Sequence, residues 1–184
     1  MTRLLTALML ICFLPTGLQA GINPQYDLLK AVQDQDAEEV EKLLRKGTSP
    51  DTRLRSSGDP ALVLAARTGN RRIMELLLKS GANPDIATRD GKQTAIIIRA
   101  MVGDVLAVQL LLNHKADPDG GRKAYGIPLI QAVRGRKYKV ARLLVEAGAK
   151  TDISDVTGKT ALDYASISRS RRMINMLENT KAEN

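Results

Sequence analysis

The sequence predicts an all-α repeat protein, a solenoid of about five helix–turn–helix units. A small pair, Ala65-Ala66, has counterparts at steps of 34, 34, 33 and 33 residues: Ala31-Val32, Arg99-Ala100, Ala132-Val133 and Ala165-Ser166. A second series, an aliphatic pair ending each unit's second helix, keeps the same period at 43–44, 77–78, 111–112 and 144–145. Aromatic residues make up only 3% of the 184-residue chain, which suits short helices stacked through Ala and Leu.

Each unit contains two helices, a tight turn between them, a stop and an extended exit. Asp36, Asn70 and Asp104 precede the second helices and are expected to cap their free backbone N–H groups. Glycine follows the leucines in most units and supplies the left-handed residue that ends the helix. Lys115 occupies this position in the third unit. A side chain held in that conformation costs about 1–2 kcal/mol, so the sequence predicts local strain at Lys115.

The first and third units differ from the others. The second helix of the first unit, 37–45, is heavily charged, as expected for an end unit exposed to water. The third unit begins its first helix with 95–98, Ala-Ile-Ile-Ile, a β-branched run for which a strand is the competing interpretation. The period favours a helix, and we expect this central unit to bury the apolar residues that follow, among them Leu106, Leu110 and Leu112.

The segments 158–165 (Gly-Lys-Thr-Ala-Leu-Asp-Tyr-Ala) and 77–83 (Leu-Leu-Lys-Ser-Gly-Ala-Asn) resemble the ankyrin repeat. The resemblance extends over five degenerate copies, and the histidine of the family motif is absent from all of them. It implies a single domain over 21–184, with repeats at about 24–56, 57–90, 91–124, 125–157 and 158–180. It also implies projecting hairpin fingers and a concave face that holds protein partners.

Residues 1–20 predict a signal peptide. Arg3 is followed by an apolar run over 4–14, and Ala20 is a small residue at a plausible cleavage point. The run is shorter than the roughly 20 residues that span a bilayer, which disfavours an uncleaved anchor. A lipoprotein site at Cys12 is also disfavoured, because Ile11 is bulky. Cys12 is the only cysteine, so the mature chain would have none, and we expect a periplasmic or secreted bacterial protein.

The sequence contains no catalytic or metal-binding pattern. His114 is the single histidine, which excludes multi-histidine zinc sets. One histidine by itself gives no argument for a Ser-His-Asp or Cys-His arrangement. Gly158-Lys159-Thr160 resembles the end of a phosphate-binding loop but lacks its upstream glycine. We therefore expect a monomeric protein that is not an enzyme and needs no cofactor.

The formal charge of +8 favours acidic partners. The first candidate site is the finger set, expected to bind an acidic protein: Arg53, Arg55, Arg89, Arg122, Lys123 and Tyr125. The second is the turn stripe, expected to lie along the helix–helix turns and to bind anionic envelope lipid or glycan: Arg67, Arg71, Arg72, Arg134, Arg136, Lys137, Arg169, Arg171 and Arg172. A solvated face without a partner remains an alternative for both sets. Nucleic acid is disfavoured, because few aromatic residues accompany the cations.

Overall fold

A computed structural model describes residues 23–120 and 126–182, with side chains as far as residue 179. The described part of the chain contains ten α-helices in five consecutive pairs and one isolated antiparallel bridge, between Arg53 and Pro60. The helices are α1 Pro24–Gln33, α2 Ala37–Arg45, α3 Ala61–Thr68, α4 Arg71–Lys79, α5 Ala95–Val102, α6 Val105–Asn113, α7 Pro128–Arg134, α8 Tyr138–Glu146, α9 Ala161–Ile167 and α10 Arg171–Ala182. The predicted signal peptide lies outside the described residues.

The helices form two layers. The first helices of the pairs pack in sequence, α1 on α3, α3 on α5, α5 on α7 and α7 on α9, and we call this row the inner layer. The second helices form an outer layer, and each packs against the inner helix of its own pair. One continuous apolar core runs between the layers from Leu28 to Leu177. The predicted all-α solenoid is therefore confirmed.

The predicted caps are present. Asp36 accepts a hydrogen bond from the backbone N–H of Glu39 (3.0 Å), and Asn70 and Asp104 accept equivalent bonds (both 3.1 Å) in the next two repeats. Lys137 occupies the same position before α8, and its side chain cannot accept such a bond. The fourth repeat therefore begins its outer helix without the cap that stabilises the first three.

Backbone conformation repeats with the same period. Gly47, Gly81 and Gly148 end their outer helices with φ of 87°, 89° and 89°, and Lys115 holds the same left-handed position with φ 68°. The left-handed conformation predicted at Lys115 is therefore present. The turn between the helices of a pair also needs a left-handed residue. Repeats two and three use glycine there, whereas the other three use side-chain-bearing residues: Gln35 (φ 59°), Arg136 (φ 54°) and Arg169 (φ 52°).

The third repeat is helical, as the period predicts. Residues 95–98 lie in α5 and are buried. The expectation that this repeat also buries the apolar residues of α6 is wrong in part, because Leu106 is 63% exposed and Leu110 and Leu112 are only partly buried. The helix turns about 100° per residue, so an apolar run in an outer helix cannot direct every side chain toward the inner layer.

Arg99 occupies a position in α5 where the other repeats have a small residue. Its side chain is 7% exposed and its Nη1 lies 3.7 Å from Asp104 Oδ2, while its Nε has no hydrogen-bond partner. Burial lowers the pKa of Arg99, and Asp104 acts in the opposite direction. Asp104 therefore has two roles, as cap of α6 and as counterion of a buried guanidinium.

A series of aspartates links one repeat to the next. Asp51 Oδ1 accepts a hydrogen bond from the N–H of Asn83 (2.9 Å), 32 residues further along the chain. Asp85 accepts the equivalent bond from Asp117 (2.8 Å), and Asp119 accepts one from Lys150 (2.8 Å). These bonds hold the starts of the first three fingers against the exit of the following outer helix.

Candidate functional site

The fingers are short hairpin turns that precede the inner helices. In the first, Leu54 N–H donates to Asp59 C=O (2.9 Å), and in the second, Thr88 N–H donates to Gln93 C=O (2.9 Å). Three members of the finger set, Arg122, Lys123 and Tyr125, lie outside the described residues. The other three belong to these first two fingers.

Arg53 connects the two fingers. Its Nη1 donates to the carbonyl of Gly58 in its own finger (3.0 Å) and to the carbonyl of Ala87 in the next (2.8 Å). Arg89 lies over the same glycine so closely that a Cβ on Gly58 would be 2.6 Å from Arg89 Nε. Arg53 is therefore a structural tie, which sequence reasoning did not anticipate, and it fixes the spacing between the fingers.

An apolar cavity of about 430 Å³ lies between the start of α1 and the first finger. It is lined by Asn23, Gln25, Tyr26, Leu29, Arg53, Leu54, Arg55 and Ser56. Tyr26 is 61% exposed. Arg55 forms no ion pair with any residue that the structure describes. The cavity thus combines an apolar wall, an accessible aromatic ring and an unpaired cation.

Tyr26 was not predicted as a site residue. The sequence places it in the first helix, and its role depends on the finger that folds beside that helix about 30 residues later. The available signal was its rarity, because the chain has only four tyrosines, one phenylalanine and no tryptophan.

A second cavity, of about 340 Å³, lies between the first two fingers. Its lining carries both signs of charge. Arg67 donates to Asp59 through Nη1 (2.6 Å), and its Nη2 donates to Gln93 Oε1 (3.2 Å). Hydrogen bonds from the Thr88 hydroxyl and the Lys92 N–H lower the pKa of Asp90, which keeps its carboxylate ionised. Uniform positive charge is therefore absent from this part of the finger face.

The turn stripe divides into two groups. Arg67 and Arg134 lie on the finger side. Arg67 bonds the first finger as described, and the guanidinium carbon of Arg134 is 5.2 Å from the ring centroid of Tyr164, whose hydroxyl bonds Asp155 in the last finger. Both arginines follow the small pair of an inner helix, and this position turns them toward the fingers. The expectation that all nine cations share one edge is wrong for these two.

The other stripe residues lie at or beyond the turns. Arg71 and Arg72 are partly neutralised, Arg71 by Asp104 (4.0 Å) and Arg72 by Glu41 (3.6 Å). Arg172 stacks on the ring of Tyr138, with 3.8 Å between the guanidinium carbon and the centroid. The remaining stripe cations form no ion pair with any described residue: Arg136, Lys137, Arg169 and Arg171. The unpaired charge of the edge is therefore concentrated in the fourth and fifth repeats.

Within 23–120 and 126–182, no group of three or more His, Cys, Asp or Glu side chains is placed to hold a metal ion. No helix in this part of the chain combines the length and apolarity needed to cross a bilayer. The features that the described chain does present are a row of fingers, two cavities and a charged edge on a stacked helical frame. They define the protein as a solenoid of stacked helical repeats.

The chain belongs to the ankyrin-repeat family. The family model described as ankyrin repeats (3 copies) matches residues 28–123, 80–155 and 97–184. Comparison with curated protein sequences gave no match. Ankyrin repeats generally mediate protein–protein interactions, and the family typically provides scaffolds rather than enzymes.

Proposed function

We propose that this protein is an exported, non-enzymatic interaction module that docks an acidic protein partner against its first two fingers. The observation that carries the proposal is the apolar cavity beside α1, whose lining includes the exposed Tyr26 and Arg55, an arginine without an ion pair among the described residues. Tyrosine and arginine are the residues most often found as binding anchors. The matching partner segment has an apolar side chain for the cavity and carboxylates for Arg55 and Arg89.

The docking surface is largely preformed. Arg53 holds the two fingers together through carbonyl groups, so little ordering is needed when the partner binds. Long-range attraction between the cationic protein and an acidic partner speeds their encounter, and added salt weakens it. Binding should therefore weaken as ionic strength rises.

The proposed setting is the bacterial periplasm or the exterior of the cell, reached through cleavage near Ala20. In this setting the working form is the monomer of residues 21–184. All ten described helices begin after this point, so removal of the leader leaves the docking surface intact.

The test is a pull-down from an envelope extract with residues 21–184, at low and at high salt. A discrete acidic protein retained at low salt and released at high salt is the expected result. The variant Arg55→Glu/Arg89→Glu should lose it, and Tyr26→Ala should weaken it. Lys46→Glu/Lys150→Glu is the matched control, since it makes the same charge change at exposed residues outside both cavities. If the control variant loses the partner equally, the effect of the finger variant comes from net charge alone, and the proposed finger site is wrong.

A second candidate function is binding of anionic envelope lipid or glycan through the turn stripe. Two observations favour it: the unpaired cations of repeats four and five, and the left-handed backbone of Arg136 and Arg169. Glycine fills the corresponding turn position in repeats two and three, and an arginine there costs about 1–2 kcal/mol. Strain of this kind is typical of functional sites, where a side chain is kept for what it contacts.

A further inference from the structure

Exposed apolar side chains cluster at one turn. Six large apolar residues of the described chain are exposed, and two of them, Val102 (51%) and Leu106 (63%), lie at the α5–α6 turn. Met101 (49%) is also exposed, but it occupies the position of Arg67 and Arg134, which lie on the finger side. The core does not need Val102 or Leu106, because α5 buries 95–98 and α6 buries Ala107, Val108 and Leu111. Val102 and Leu106, the apolar cluster of this turn, therefore face solvent beside the cations of the neighbouring repeats.

The register of the repeats places this cluster within the basic edge. Leu106 occupies the position held by Arg72, Lys139 and Arg172 in repeats two, four and five. The aliphatic stem of Lys137 lies over the turn itself, since a Cβ on Gly103 would be 2.6 Å from Lys137 Cδ. On the other side, Arg71 lies 4.0 Å from Asp104. The apolar cluster is thus flanked by cations on both sides.

We infer that this edge docks on an anionic lipid bilayer, with Val102 and Leu106 inserted at the boundary between headgroups and acyl chains. The inference rests on the second candidate function and narrows its ligand from lipid or glycan to lipid. A glycan presents hydroxyl and acid groups, which can bind the cations but offer no apolar surface to the exposed apolar side chains. A bilayer surface matches both, because its phosphates attract the cations and its acyl boundary accepts apolar groups.

The distribution of charge along this edge sets the orientation of the protein on the lipid surface. The turn of the first repeat is acidic, with Asp34, Asp36 and Glu38, and an anionic surface repels it. Repeats four and five contain cations without an ion pair among the described residues. These cations are Lys139 and the unpaired members of the turn stripe. Docking therefore brings the third, fourth and fifth repeats onto the lipid and keeps the first repeat away from it. The first two fingers, which belong to the proposed protein site, lie at the end of the chain that faces away.

The experiment is vesicle co-sedimentation with residues 21–184, because the apolar run at 4–14 would bind lipid by itself. Vesicles of phosphatidylcholine with and without phosphatidylglycerol are compared. Wild type should bind the phosphatidylglycerol vesicles and not the neutral ones. The variant Val102→Ser/Leu106→Gln changes only exposed side chains and should weaken this binding by at least about tenfold, since each inserted methylene contributes several-fold in affinity.

The cations are tested by Arg136→Gly/Arg169→Gly. Each cation near an anionic surface contributes about fivefold, so this variant should bind about 25-fold more weakly. It also relieves two left-handed side chains and should have a higher urea midpoint than wild type. Gln35→Gly is the matched control, because it relieves the same turn conformation in the acidic repeat and should leave lipid binding unchanged. A variant that becomes more stable and yet loses binding has not lost it through misfolding.

Three outcomes overturn the inference. If the apolar variant binds like wild type while the cation variant loses binding, the edge recognises anionic charge alone, and the inferred insertion of apolar side chains is wrong. If wild type fails to bind the phosphatidylglycerol vesicles, the inference is wrong, and so is the lipid form of the second candidate function on which it rests. If the apolar variant converts a dimer into a monomer in sedimentation velocity, the cluster is an interface between copies. None of these outcomes alters the finger pull-down, which tests the first proposal separately.

Discussion

Replacing Lys115 by glycine should stabilise the protein. Lys115 ends α6 with φ 68°, a conformation that costs a side-chain-bearing residue about 1–2 kcal/mol. Glycine removes that cost but gains freedom in the unfolded chain, which takes back about 0.5–1 kcal/mol. The Lys115 side chain is exposed and forms no ion pair with any described residue, so its removal has no further penalty. The expected net gain is about 0.5–1 kcal/mol.

The assay is urea unfolding followed by circular dichroism. With a slope of about 2 kcal/mol per molar urea, the midpoint of Lys115→Gly should rise by about 0.3–0.5 M. The backbone bond from Lys115 N–H to Leu112 C=O (2.9 Å) remains in the variant, so the helix end keeps its geometry. The gain therefore reports the backbone conformation alone.

Gly81→Lys is the reciprocal control. Gly81 holds the same position in the second repeat with φ 89°, and a Cβ there would meet no atom within 4 Å. A lysine at this position would adopt the strained left-handed conformation without a steric clash. The urea midpoint of Gly81→Lys should therefore fall by a similar amount. An unchanged or lower midpoint for Lys115→Gly, beside a normal loss in the control, would refute the reasoning. If neither variant moves the midpoint, left-handed side chains carry no strain in this turn.

Two further predictions concern carboxylates. Asp104→Ala removes the cap of α6 and leaves the buried Arg99 without its counterion, so it should lower stability by about 2–4 kcal/mol in urea unfolding, and Asp104→Asn, which keeps the capping acceptor, should lower it less. Asp155 accepts bonds from the hydroxyls of Thr157 and Tyr164, which hold its pKa well below the ordinary 3.8. Its contribution to stability is therefore present above that value and lost as the pH falls below it, so Asp155→Asn should flatten the acid limb of the pH–stability curve; an unchanged limb would contradict this.

Features repeated in every unit could be predicted from the sequence. The period identified the helix at 95–98 despite its β-branched residues, because packing against neighbouring repeats outweighs local propensity. The capping aspartates and the left-handed Lys115 were predictable for a related reason, since each depends on a few neighbouring residues.

Features that depend on side-chain direction could not be predicted. Arg67 and Arg71 are four residues apart, yet they flank a turn that reverses the chain, so one faces the fingers and the other the outer helices. Leu106 appears in sequence as part of a core run, and only the position of α6 shows that it faces solvent. The cavity at Tyr26 required the fold itself, because its two walls are separate segments that meet only in three dimensions.

The aspartate bonds between repeats have a mechanical consequence. Each carboxylate accepts a hydrogen bond from the next repeat and, among the described residues, from no repeat beyond it, as Asp51 does from Asn83 and Asp85 from Asp117. Tension applied to the two ends of the molecule would therefore load these bonds together with the packing between successive repeats. The force that the stack of repeats withstands is set by its weakest contact between two repeats. Rupture there would release one segment of the stack while the others stayed folded. A protein built in this way can yield under load at one end and keep a bound partner at the other.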